Sequence, residues 1–247
     1  GARNEGLKYA SGEYIAFVDS DDWIEEGLYE KAYLKAKEKD ADIVQFNYNY
    51  YFDNVGIVCN KNEMKDEYIE IKGADDRKNM LIMEKFTYGC WNKLYKRSMV
   101  INANTAFAEN VIYEDLDFLI NIALKINNTA NVKEILYIYK NNDNSASHNN
   151  REQIKFNDML AVYKAIDRLK YDCNVDEAIK YAKITCIAGA IGICLMNQDN
   201  NQFSLEDNLL NLRSISKKEL VNWENNRYIQ ENMSKDNKDI LKWFAKI

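Results

Sequence analysis

The chain has no proline and a single histidine among its 247 residues. Without proline, turns fall to Gly, Asn and Asp, which tolerate the backbone conformations that turns need. His148 is too few histidines for a zinc site, and the five cysteines (Cys59, Cys90, Cys173, Cys186, Cys194) show no C-x-x-C spacing to replace it. Odd in number and unpatterned, they read as reduced thiols of a cytosolic protein. Basic excess is lacking too. Lys+Arg 33 against Asp+Glu 39 leaves a net charge of −6, which argues against nucleic acid as a partner, since phosphate backbones are held by basic stripes. The uncharged run from Ile184 to Met196 falls short of the about 20 residues that span a membrane, so it predicts a buried helix.

What is present is concentrated in Gly12 to Asp22, GEYIAFVDSDD. Tyr14 to Val18 is a short aromatic and β-branched run that predicts a fully buried strand. Asp19, Ser20, Asp21 and Asp22 then place three carboxylates at its C-terminal end. Like charges this close repel unless solvent or a cation relieves them. Ligands in open α/β sheets bind beside the carboxyl ends of strands, and a hard divalent cation holding a diphosphate suits such a cluster. If strand alternation persists past Val18, Asp19 and Asp21 point the same way. A solvated acidic turn that caps the next helix is the plainer alternative, and Asp22 is expected to be such a cap.

Ala2-Arg3-Asn4, Gly6, Ala10, Gly12-Glu13-Tyr14 and the D-S-D-D run resemble the donor-site segment of family 2 glycosyltransferases of the GT-A fold. The resemblance returns in the family's order at Trp91-Asn92-Lys93-Leu94-Tyr95, at Glu114-Asp115 and at Tyr137 to His148. It implies an α/β, Rossmann-like nucleotide-diphospho-sugar transferase sheet over residues 1–150. It also implies that the family's first strand and nucleotide-holding βαβ unit lie ahead of residue 1, so that the domain here is partial. Two rival motifs fail. An EF-hand loop needs Gly where Ile24 stands, and dehalogenase-like phosphatases are expected to carry Thr or Val where Asp22 stands.

By the same resemblance, Asp21 binds Mn²⁺ or Mg²⁺ and Asp19 faces the metal or the ribose. Arg3, Asn4, Asp19 and Ser20 then line the donor, a UDP- or GDP-linked sugar. Asp115 is the base that deprotonates the acceptor, with Glu114 orienting it. His148, near an S-x-S loop, is expected by the diphosphate or metal, and Trp91 and Lys93 by the acceptor. Each has a plainer alternative: helix capping for Glu114 and Asp115, a solvated Asn-rich loop for His148, core packing for Trp91, and a frayed terminus for Arg3 and Asn4.

Beyond residue 150 the pattern turns helical, over 151–170, 175–197, 204–223 and 237–246, with no motif of the family. Residues 151–247 therefore read as a helical C-terminal region. Its last helix carries Ile240, Leu241, Trp243 and Phe244 among lysines. Docking on the main domain is the default for that face, and a membrane surface or a homodimer is the sharper reading. The expected function is metal-dependent, inverting sugar transfer to a saccharide or lipid-linked acceptor, cytoplasmic or at the inner membrane face, in bacterial surface-polysaccharide synthesis. The alternative is a non-catalytic carbohydrate- or partner-binding remnant.

Overall fold

The structure, a computed structural model, describes residues 1–60, 64–65, 67–81, 86–87, 89–111, 114–141, 152–171, 173–200 and 203–246. The chain opens with α1 (Ala2–Tyr9), β1 (Tyr14–Ala16), β2 (Trp23–Ile24) and α2 (Leu28–Lys39). Then come β3 (Ile43–Phe52), β4 (Gly56–Val58), β5 (Tyr68–Glu70), α3 (Ala74–Leu81), β6 (Lys93–Lys96) and α4 (Arg97–Ala103). The first half closes with α5 (Glu114–Ala123) and β7 (Asn128–Lys140). All described strands join one mixed sheet in the order β1-β6-β3-β7-β2, with β4 on β3 and β5 on β7. Only β3 and β7 run parallel.

Alternation along the central strands sorts side chains to two faces. Val44 and Phe46 of β3 and Leu94 of β6 meet Leu28, Ala32 and Ala36 of α2 on one face. Ile43 and Tyr95 turn to the other, where Phe17, Met99, Val100 and Phe118 gather. Each fully buried Leu, Ile or Phe here contributes about 1.5–3 kcal/mol of transfer free energy.

The stretch expected to be a fully buried strand is instead a short edge strand. Because β1 pairs only with β6 among the described strands, Tyr14 to Ala16 are half-buried against the core and Val18 is exposed, while Phe17 is buried. Asp22 is not a helix cap. The chain first lays Trp23–Ile24 against β7 and turns at Gly27, whose φ of +84° suits glycine, before α2 begins.

The C-terminal half is helical: α6 (Glu152–Asp167), α7 (Asp176–Met196), α8 (Leu205–Glu219), α9 (Arg227–Asn232) and α10 (Lys235–Phe244). Among the described residues α7 is the one helix long and apolar enough to cross a membrane, yet most of it is buried by its neighbours. Its Lys183 is neutralised by Asp167 at 2.7 Å, with Glu219 at 3.6 Å. Ile184, Ile187 and Ile191 of α7 share one continuous core with Leu81 of α3 and Phe118 of α5, so the helical region is fused to the sheet half rather than tethered to it.

Candidate active site

Two segments distant in the chain meet at Arg3. The loop after β1 supplies Asp19 and the first turn of α5 supplies Glu114 and Asp115, residues almost a hundred positions apart. Arg3 Nη2 donates to Asp19 Oδ1 at 2.6 Å, and Nη1 donates to Glu114 Oε1 and lies 3.2 Å from Asp115 Oδ1. All four side chains are about a quarter exposed, so the network opens to solvent on one side. A planar guanidinium spreads its donors over separate nitrogens, so it reaches carboxylates on different sides where the compact ammonium of lysine would not. The guanidinium carbon of Arg3 lies 5.4 Å from the centre of the Phe107 ring, which stacks on Phe118 at 4.0 Å.

Asp115 has a second anchor. The backbone N–H of Cys90 donates to its Oδ2 at 3.0 Å, while Oδ1 is enclosed and takes no hydrogen bond, only the charge of Arg3. Burial pushes the Glu114 carboxyl above its ordinary range; the neighbouring Asp115 adds to this and Arg3 opposes it. Burial likewise raises the Cys90 thiol, with the Asp115 charge adding to it, so that sulfur stays protonated.

The acidic run divides its labour. Asp22 is held by β7: Tyr137 Oη donates to its Oδ2 at 2.6 Å and Lys140 N to its Oδ1 at 2.8 Å. Burial raises the Asp22 carboxyl, these two bonds oppose the rise, and Asp19 and Asp21 add to it. Asp21 is exposed and its carboxylate takes no hydrogen bond from the described residues. Asp19 commits one oxygen to Arg3. Two hard oxygen groups at one strand end, one of them unengaged, fit a Mg²⁺ or Mn²⁺ ion that keeps waters and phosphate oxygens as its other ligands. Asp19, Ser20, Arg3, Asn4 and Glu114 line a cavity of about 370 Å³ closed by Phe107 to Val111.

Asn4 does not offer its amide to that cavity. Its Nδ2 donates to Phe107 O and its Oδ1 accepts from Phe107 N, both at 2.8 Å, which locks α1 to the loop before α5. Lys93 is also elsewhere than expected. It is fully buried, and its ammonium donates to Thr87 O, Thr87 Oγ1 and Asn92 Oδ1 at 2.7–2.9 Å. Burial pushes its pKa down to about 7, and no acceptor can reach it. The reason is topological: β6 is an inner strand, so a residue on it is covered from both sides. His148 lies outside the described residues.

Trp91 is packed as well as placed. Its indole stacks over Tyr137 and Tyr139 at 4.7 and 5.3 Å and meets Tyr48 edge-on. A Cβ at Gly89 would sit 2.8 Å from the indole, so that side is occupied too. The rim of Trp91 lines a cavity of about 510 Å³ with Tyr48, Tyr50, Asn60, Gly89 and Tyr139. Sequence reasoning missed the partners that hold the acids, Tyr137 and the Cys90 amide. Tyr137 stood inside a quoted motif but carried no signal of pairing with Asp22.

A mixed sheet with carboxylates at a strand end facing an acidic helix start is the layout of a GT-A-type sugar transferase. The same fold is found in *S. aureus* TarS, solved with UDP-GlcNAc, at a TM-score of 0.57 and 17% identity over 77% of this chain and 60% of that one. The chain matches the model of glycosyl transferase family 2 over residues 1–102. It is 30% identical over 144 residues to a cholesterol galactosyltransferase of *Borreliella burgdorferi*, covering 55% of this chain and 40% of that protein. It is 29% identical over 206 residues to the putative glycosyltransferase EpsH of *Bacillus subtilis*, covering 79% of this chain and 57% of that protein. The chain thus spans about half the length of these curated relatives.

Proposed function

We propose that this chain carries the transfer site of a metal-dependent, inverting glycosyltransferase. The donor is a nucleotide-diphosphate sugar, UDP- or GDP-linked, and the acceptor a saccharide or lipid-linked saccharide of bacterial surface-polysaccharide synthesis. The observation that carries this reading is the Arg3 bridge, which draws the donor-side Asp19 and the acceptor-side Asp115 onto one guanidinium. The UDP-GlcNAc bound by TarS supports a nucleotide-sugar donor.

Asp115 takes the proton of the acceptor hydroxyl as that oxygen attacks the anomeric carbon, and the nucleoside diphosphate leaves on the opposite face. Glu114 and Arg3 hold Asp115 in place, and a positioned base of this kind contributes about 10²–10⁴-fold. Asp19 and Asp21 would hold the Mg²⁺ or Mn²⁺, which when bound supplies positive charge for the departing diphosphate. Asp22, spent on Tyr137 and Lys140, fixes the turn that presents the other two.

The test is calorimetric titration of UDP and GDP into the chain with and without Mn²⁺, in wild type and Asp21→Ala. Binding that requires metal and is lost in the variant is expected. Metal-independent binding, or binding that Asp21→Ala retains, overturns the assignment of the acidic turn and favours a carbohydrate-binding remnant.

A further inference from the structure

Far from the acidic turn, the C-terminal halves of α8 and α10 flank a groove of about 740 Å³ whose walls include Leu210, Arg213, Lys217, Leu220, Val221 and Phe244. Two large apolar side chains of its walls stand out, Leu210 at 63% exposed and Val221 at 59%, and Trp243, next in the chain to the groove-lining Phe244, is 41% exposed. Scattered singly they would need no explanation, but gathered round one groove they form a patch. The cations beside them are uncommitted. Arg213 and Lys217 make no side-chain hydrogen bond or ion pair with any described residue, and neither do Lys242 and Lys246 at the end of α10. In a chain of net charge −6, cations left unpaired around an apolar groove mark a surface complementary to anions. α10 is built for such a place: Leu241 and Phe244 turn into the core while Trp243 and the lysines face out. An amphipathic helix with an exposed tryptophan among lysines is the composition of interfacial binding.

We propose that this groove docks the chain on an anionic phospholipid surface, with Arg213 and Lys217 against lipid phosphates and Leu210, Val221 and Trp243 at the acyl boundary. A second copy of the chain is a poorer occupant, because a two-fold contact here sets like cations against one another. The inference does not rest on the sugar-transfer reading, since no residue of the transfer site takes part.

The test is co-sedimentation with vesicles of phosphatidylcholine alone and of phosphatidylcholine mixed with phosphatidylglycerol. Binding to the mixed vesicles that weakens with added salt is expected. Arg213→Gln/Lys217→Gln should partition about thirtyfold more weakly, from the increment each basic residue gives near such a surface. Trp243→Ala should lose the fluorescence quenching by brominated lipid that wild type shows. Unchanged circular dichroism certifies that both variants fold. Equal partitioning to the two vesicle types, no pelleting, or a double variant that pellets like wild type overturns the proposal. So does displacement from vesicles by free glycerol phosphate, which points to a soluble ligand, or a dimer in sedimentation velocity that the double variant dissociates.

Discussion

At Arg3 one cation faces three carboxylates, so the charge balance of the site hangs on a single side chain. Arg3→Ala leaves Asp19, Glu114 and Asp115 to repel one another, and should cost about 1–3 kcal/mol in urea unfolding at neutral pH. Arg3→Lys should recover only part of it, since a compact ammonium lacks the planar, spread fork with which the guanidinium reaches Asp19 from one nitrogen and Glu114 from another. Asp115→Asn keeps the shape but removes the proposed base; turnover should fall about 10²–10⁴-fold with the melting temperature nearly unchanged. Titration gives a separate handle. Burial raises the Glu114 carboxyl, so between the ordinary carboxylate range and its raised value the folded chain keeps a proton that the unfolded chain has released. The stability this provides is full below the unfolded pKa and is lost as pH rises through the folded one. Urea midpoints of wild type and Glu114→Gln across pH 4–7 should therefore diverge, the wild type alone showing this fall.

The elements decide how those residues are aimed. Gly89 sits where a Cβ would press on Trp91, and Trp91 cannot yield because Tyr137, Tyr139 and Tyr48 enclose it. Gly89→Ala must therefore move the backbone next to Cys90, whose amide anchors Asp115. Overpacking of this kind costs about 1–3 kcal/mol, and turnover should drop with it. Asp22→Ala strands the Tyr137 hydroxyl and the Lys140 amide, a loss of about 1–3 kcal/mol readable in thermal melts. Much of this tier was legible in the chain. Asp176–Met196 lies close to the helix expected over 175–197. β2 and α9 were not legible, since two and six residues are too short for a period to show.

Across the whole molecule the helical half behaves as part of the core. Phe156 of α6 and Ile187 of α7 are fully buried in the cluster that also holds Phe118, on the same helix as Asp115. Deleting residues 152–247 should therefore give an insoluble or molten product, seen as lost near-ultraviolet circular dichroism. Phe156→Ala in the intact chain should cost about 3–5 kcal/mol.

The order of residues alone determined the class of this protein. The acidic run after a short apolar strand, the W-N-K-L-Y and E-D blocks and their sequence order are local patterns, and local patterns survive being read one residue after another. It also put Asp19, Asp21, Glu114 and Asp115 forward as candidates for one site. Only the tertiary structure decided which oxygen each acid has free. It assigned Asp22 to Tyr137, Asn4 to the Phe107 backbone and Lys93 to a buried cage, and it made Arg3 the bridge. Those outcomes depend on contacts between residues far apart in the chain, and on which strand lies inside the sheet and which at its edge. Side-chain spacing carries no record of either.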